Sequence, residues 1–368
     1  MRNLTFIHVA LLTFVLGLLT LAGSAQERVG TAELRRAGIE TSSFQPIVFS
    51  HNDRWLACYD EAPFEDKKQG IFYRLWFLEF SPTGSVLRYQ KVPLKMASLL
   101  QGQFTPGDDA FLVLGNRGTV LSRVDMKSFA ISAIMEPAPG RAGFRADPAV
   151  LWTENGSVYE VGYPYDEGRF VNVRTIAKVN PNGTGASAFE VGPDLTTLEK
   201  GIERQWFANY LSPTSIFYGQ KYSDQVLLSH WNGQTRTEFD RARRMWGSWG
   251  HSGKILYSVE RSAEVSDLML FDSRTGTKTT LASGSDVYRY LFLSRDGNTA
   301  VVSLMVPEGR RLSTFFAKST DGWKLHPLEA DSGGRARTIT AGWMRVASKG
   351  GMIAHVGAAG LTLYSLGK

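Results

Sequence analysis

Cysteine is almost missing from the chain: Cys58 stands alone in 368 residues. One thiol cannot close an intramolecular disulfide, so the fold is not a disulfide-stapled scaffold. Cys58 lies inside the apolar stretch Trp55-Leu56-Ala57-Cys58-Tyr59 and reads as a small buried hydrophobe. Long blocks of one charge are also missing. The formal net charge is +6, with Lys and Arg dispersed among Asp and Glu, which excludes a nucleic-acid-binding tail, and no nucleic acid is expected as a partner. Helical periodicity is scarce: Glu33 to Ala37 and Thr197 to Arg204 are the only helix-like stretches past the N-terminus, and both are short. No His-x-x-x-His spacing occurs, so neither a metal site nor a cofactor is expected.

What is present is apolar, aromatic and rich in turn residues. The hydrophobic fraction is 43%, the charged fraction 21% and the aromatic fraction 12%, with 37 Gly. That composition is globular and favours β-structure. The N-terminus differs from the rest. Arg2, the apolar run Ile7 to Leu21 and the small residues Ala22-Gly23-Ser24-Ala25 have the layout of a signal peptide cleaved after Ala25. The reading is therefore a signal over 1–25 and one domain over 26–368. An uncleaved anchor is the alternative, disfavoured because the run is short for a membrane span. No later segment approaches that length, so a monomer without a transmembrane segment, periplasmic or secreted, is expected.

One pattern recurs along the chain. An apolar residue and a small or polar residue lead into a polar turn, and an apolar strand follows. Its instances begin at Phe49-Ser50-His51-Asn52-Asp53, Phe104-Thr105-Pro106-Gly107-Asp108, Trp152-Thr153-Glu154-Asn155-Gly156 and Leu211-Ser212-Pro213-Thr214. They continue at Trp249-Gly250-His251-Ser252-Gly253, Leu293-Ser294-Arg295-Asp296-Gly297 and Val346-Ala347-Ser348-Lys349-Gly350. The spacing, roughly 40–60 residues, is that of propeller blades. Hairpin turns such as Asn180-Pro181-Asn182-Gly183, Asn232-Gly233 and Arg274-Thr275-Gly276 sit between the later strands of each unit. The sequence predicts an all-β propeller of seven four-stranded blades. The last unit ends after its third strand, at Leu361 to Leu366, and Thr31 to Arg35 in the spare segment Arg28 to Phe44 is expected to supply its outer strand and close the ring.

Over residues 246–297 the unit resembles the WD40-like repeat of TolB-type propellers, also called PD40. Asp267-Leu268-Met269-Leu270-Phe271-Asp272, Arg274-Thr275-Gly276 and Leu293-Ser294-Arg295-Asp296-Gly297 carry the resemblance, with Arg295 where the family has Pro. The Gly-His and Trp-Asp pairs of true WD40 blades are not in register. The resemblance implies a propeller that serves as a binding module or as the propeller half of a peptidase. No Gly-x-Ser-x-Gly elbow follows the last unit.

In a propeller, the starts of the inner strands and the loops between second and third strands share one face. Arg145, Arg204, Arg244, Arg289 and Arg337 fall near those starts, and a ring of guanidinium groups there would suit a carboxylate or phosphate. The competing reading points them between blades or pairs them with acids such as Asp147 and Glu203. Two long loops, Asp60 to Gly70 and Tyr163 to Arg169, would add Asp60, Glu61, Tyr163, Tyr165 and Asp166 to the same face. The inner-strand aromatics Trp206, Trp246, Trp249, Trp343 and Tyr290 read as inter-blade packing rather than a stacking site. His51 and His251 occupy equivalent turns of separate units, which would hold them too far apart to share an ion. No catalytic set emerges. The functional expectation is a non-enzymatic binding or scaffold module for a protein or peptide, with an acidic or anionic ligand at the arginines. The alternative is a hydrolase, lyase or lactonase with its site in the funnel.

Overall fold

The structure is a computed structural model. It describes residues 28–29, 44–63, 71–81, 85–96, 99–115, 120–135, 144–154, 157–166, 169–170, 175–179, 186–190, 204–212, 215–222, 224–305, 312–331, 336–338, 343–357 and 360–366. The expected signal peptide lies outside them.

The described residues form six four-stranded sheets, one five-stranded sheet and a separate two-stranded hairpin, with every strand pairing antiparallel. Six of the seven large sheets are built from strands consecutive in the chain, so hairpin follows hairpin. The fifth shows why. Its strands are Arg244–His251, Lys254–Glu260, Ser266–Asp272 and Thr277–Gly284. The turn between the first two places Ser252 and Gly253 at φ of 50° and 74°, and the turn between the last two places Gly276 at 70°. Positive φ is natural for Gly and uncommon elsewhere, so these residues fix the register by where they stand.

Alternating apolar residues face the neighbouring sheets, and the core is a series of layers between sheets. One layer joins Phe217, Leu228 and Phe239 of the fourth sheet to Ile255, Tyr257 and Phe271 of the fifth. Another joins Phe49, Leu56 and Leu78 of the first to Ala354, Leu361 and Leu363 of the last. Large aromatics fill the wedge: the Phe239 and Phe271 rings stack at 4.3 Å. The all-β propeller is as the sequence predicts.

The last sheet is completed from the other end of the chain. Its order is Arg28–Val29, then Gly360–Ser365, Met352–Gly357 and Trp343–Val346. Arg28 pairs with Tyr364 and Val29 with Leu363. The closing strand is therefore Arg28–Val29, ahead of the expected Thr31 to Arg35, which lies outside the described residues. Pairing removes the free edge that Gly360–Ser365 would otherwise present.

Two expected loops are strands over much of their length. Asp60 and Glu61 belong to Trp55–Pro63, and Tyr163, Tyr165 and Asp166 belong to Ser157–Asp166. Alternation continues past the point where acidic residues suggested a loop: Glu61 pairs with Tyr73, and Asp166 with Arg169. Cross-strand partners hold a polar residue in a strand when its other face is solvated.

Candidate functional site

The propeller has two mouths. At one, the inner strands begin; at the other, the recurring turns carry the chain from inner to second strands.

Register places three of the five candidate arginines at the first mouth. Arg145 pairs with Tyr163, Arg204 with Lys221 and Arg244 with Glu260, each where an inner strand meets the end of its second strand. Arg289 is on the inner strand Val287–Leu293. Arg337 is elsewhere: it pairs with Ala330 in the separate hairpin Glu329–Asp331 and Ala336–Thr338, ahead of the last inner strand. Asp60 is spent inside its own sheet. It is 3% exposed and accepts hydrogen bonds from Arg74 Nε at 2.9 Å and Trp76 Nε1 at 2.9 Å.

The most developed cluster at this mouth is Arg244, Trp246 and Arg289. Both guanidinium groups lie over the Trp246 ring, at 5.0 Å for Arg244 and 5.4 Å for Arg289. Both arginine residues are exposed, and neither forms an ion pair among the described residues. The nearest candidate carboxylate, Glu260, pairs instead with Arg243 at 3.3 Å. Trp246 and Arg289 are brought together by β-bulges. The inner-strand registers slip between Met245 and Gly247 and between Tyr288 and Tyr290. A bulge re-aims the extra residue, here Trp246 and Arg289. Gly247 then lets the strands approach: a Cβ there would stand 2.7 Å from the Arg289 carbonyl oxygen. The sequence reading took Trp246 as packing. The missed signal is Trp246-Gly247, a large ring beside the one residue that permits close approach.

The loop after Lys254–Glu260 also faces this side, but its arginine is occupied. Arg261 reaches back to the fourth sheet and grips Asp240 with Nη1 at 2.9 Å and Nη2 at 2.7 Å, and its Nε donates to Asp267 at 2.8 Å.

At the second mouth, the fifth residue of five of the recurring turns is Asp or Gly with positive φ: Asp53 (62°), Asp108 (58°), Gly253 (74°), Gly297 (70°) and Gly350 (73°). The aspartates reach the preceding unit. Asp108 accepts from the backbone N–H groups of His51 at 2.8 Å and Asn52 at 2.9 Å. Asp53 accepts from those of Ser348 at 2.5 Å and Lys349 at 3.0 Å. At two of the Gly positions the preceding unit's side chains fill the space: Thr299 packs against Gly350, and Lys254 and Ser252 against Gly297. Lys254 Nζ and the Ser252 hydroxyl also donate to the carbonyls of Gly297 and Arg295. The turns therefore form a belt from the fifth sheet through the sixth and seventh to the first and second.

The third residues of two of these turns, His51 and Arg295, hydrogen-bond to each other. His51 Nδ1 lies 2.7 Å from Asp108 Oδ1, which assigns the proton to Nδ1 and leaves Nε2 to accept from Arg295. Burial acts against ionised Asp108, but its bonds from His51 and Asn52 prevail and hold it below the usual carboxylate range. Burial lowers Arg295 to about 10, against the pull of Asp108 and Asp53. His251 is near enough to sense both Arg295 and His51. Among the described residues, no group of three or more His, Cys, Asp and Glu could hold a metal ion.

His251 carries a pH prediction. Burial first, then the charge of Arg295 and the neighbouring His51, push its value from 6.5 down to about 3. The unfolded chain takes up this proton before the folded protein does. Stability is therefore lost as pH falls below 6.5 and the loss levels off near 3. Because the ring keeps some solvent contact, the expected loss between pH 7 and 4.5 is roughly 1–3 kcal/mol. Urea midpoints at both pH values should show His251→Gln losing less than the wild type by that amount.

No family model matches the sequence, and no curated protein matches it. Similar solved structures are propellers. An oligogalacturonate lyase in complex with manganese has 11% identity and a TM-score of 0.57, covering 89% of this chain and 91% of that one. The Dos1 propeller has 10% identity and a TM-score of 0.52, covering 89% and 94%. The β-propeller domain of the Trilobed protease from Pyrococcus furiosus has 12% identity and a TM-score of 0.50, covering 82% of each chain. That domain is described as having an open velcro topology, whereas here Arg28–Val29 pairs with the last sheet.

Proposed function

We propose that the protein is an exported, TolB-like binding propeller that holds an anionic group of a peptide or protein partner at the mouth where its inner strands begin. The carrying observation is the pair of exposed guanidinium groups over Trp246, at 5.0 and 5.4 Å, which form no ion pair among the described residues. Guanidinium groups bind carboxylates and phosphates through paired N–H donors, and an aromatic face keeps such groups oriented. Arg145 and Arg204 start neighbouring inner strands in the corresponding register. Asp60 is bound within its own sheet.

The test uses a fluorescein-labelled hexaglutamate peptide. Affinity should fall as salt rises, because exposed charges are screened. The Arg244→Ala, Arg289→Ala double variant should bind roughly 10–100-fold more weakly, as expected when two charge-assisted contacts are lost. Unchanged affinity in the double variant would reject this site. Proteins of similar fold include a lyase and a protease domain, which supports the enzymatic alternative at fold level only. Turnover of an acidic oligosaccharide or peptide by the wild type would favour that alternative.

A further inference from the structure

We infer that the channel holds a second anion site, separate from the mouth described above, in which Arg345 binds a small oxyanion. Arg345 is on the inner strand Trp343–Val346 of the last sheet. Its side chain reaches the first sheet. Nε donates to the Ile47 carbonyl of the first sheet at 2.5 Å, and Nη1 donates to the Met344 carbonyl at 2.7 Å. Its guanidinium carbon lies 5.9 Å from the Trp249 ring of the fifth sheet and 5.8 Å from the Phe292 ring of the sixth. Inner strands of the first, fifth, sixth and seventh sheets thus converge on one cation.

Positioning is built into the backbone. The register slips between Pro46 and Val48, so Ile47 is a bulged residue whose carbonyl is available to Arg345. Two carbonyl bonds and two aromatic faces fix the plane of the guanidinium. They use two of its five N–H groups and leave a donor on each terminal nitrogen, Nη1 and Nη2. That remaining edge is the fork that takes a carboxylate or phosphate side-on.

The charge on this group is uncompensated. Among the described residues no carboxylate pairs with Arg345, and the Tyr59 phenol is the one neighbour that favours its ionised form. The contrast with the other enclosed arginines is direct. Arg261 has Asp240 and Asp267, and Arg74 has Asp60. A cation taken from water without a partner is costly, and a bound anion would remove that cost. Stacking rings and carbonyl acceptors preorganise the guanidinium but do not neutralise it.

Thermal unfolding of the wild type and Arg345→Met, each with sodium phosphate, acetate or chloride at matched ionic strength, tests the site. The wild type should gain roughly 2–5 °C in phosphate or acetate over chloride, while Arg345→Met should gain none of that increment. General salt effects appear equally in both proteins and cancel. An equal increment in Arg345→Met, or none in the wild type, would overturn the site. If Arg345→Met fails to fold, equilibrium dialysis of radiolabelled phosphate against the Arg244→Ala, Arg289→Ala variant decides instead. One phosphate retained per chain supports the channel site; none overturns it. That variant lacks the arginines of the outer mouth, so failure there and failure here are distinguishable.

Discussion

Replacing Asp240 by alanine is expected to destabilise the protein by about 3–5 kcal/mol, the range for removing one partner of an enclosed ion pair. Asp240 is 9% exposed and accepts four hydrogen bonds. Two come from Arg261 of the fifth sheet's loop, one from the hydroxyl of Tyr257 at 2.7 Å and one from the N–H of Arg241 at 2.8 Å. Tyr257 is fully buried, so without Asp240 its hydroxyl loses its acceptor, and Arg261 keeps Asp267 and the Arg241 carbonyl. Tyr257→Phe alone should cost about 1–2 kcal/mol, because it removes donor and demand together. In the double variant the two losses should fall short of their sum, since they share one bond. Urea unfolding of the four proteins measures this cycle, and additivity would show that the bond does not couple the sheets. The carboxylate also carries a pH dependence. Burial opposes its ionised form, but the Arg261 and Tyr257 bonds win and lower its value from 3.8. Its stabilisation is present above that value and is lost as pH falls through the depressed one.

A second large loss, about 2–5 kcal/mol, is expected for Gly350→Ala. Two effects combine. Gly350 has a φ of 73°, where a Cβ costs roughly 1–2 kcal/mol. That Cβ would also lie 2.0 Å from Thr299 Oγ1 and 2.6 Å from Thr299 Cβ, so the neighbouring sheet must move, at roughly 1–3 kcal/mol. Gly276→Ala separates the two contributions. Gly276 has nearly the same φ, 70°, but nothing lies within 4 Å of a Cβ there. Its loss should be about 1–2 kcal/mol. Thr299→Ala, which removes the Oγ1 atom, should partly rescue Gly350→Ala if the clash is the larger effect. Equal losses at Gly350 and Gly276 would show that backbone strain alone accounts for both.

The fold was readable because each unit repeats its own instructions. In the fifth sheet, the turns at His251-Ser252-Gly253 and Arg274-Thr275-Gly276 stand where the sequence places them, and the strand bounds differ by a residue or two. Turn chemistry is local, so one chain suffices to see it. The closing strand was located only approximately, because its pairing with Gly360–Ser365 depends on a contact between the chain ends. The candidate site was less legible still. That Arg244 and Arg289 share the face of Trp246 follows from bulges, and no periodic pattern reports a one-residue slip. Arg345 was missed for a similar reason: its acceptor is the Ile47 carbonyl, a main-chain group without a sequence signature. Asp53 and Asp108 carried a signal that went unused. They hold the position that Gly fills at residues 253, 297 and 350, and Asp is among the few other residues that tolerate positive φ while reaching a neighbour's N–H groups.

The belt of turns has a mechanical consequence. Along the arc from the fifth sheet to the second, Asp53, Asp108, Lys254 and Ser252 fasten neighbouring sheets at one end of the channel; at the other end Arg261 ties the fourth sheet to the fifth, outside that arc. An arc pinned along one rim cannot expand there without breaking several bonds in sequence, but it can splay at the other. Widening of the channel by a large ligand should therefore be conical, with sheets tilting about their turn ends. Hydrogen exchange would register this as slow amides at residues 51, 52, 348 and 349 and faster exchange at the opposite ends of the same sheets.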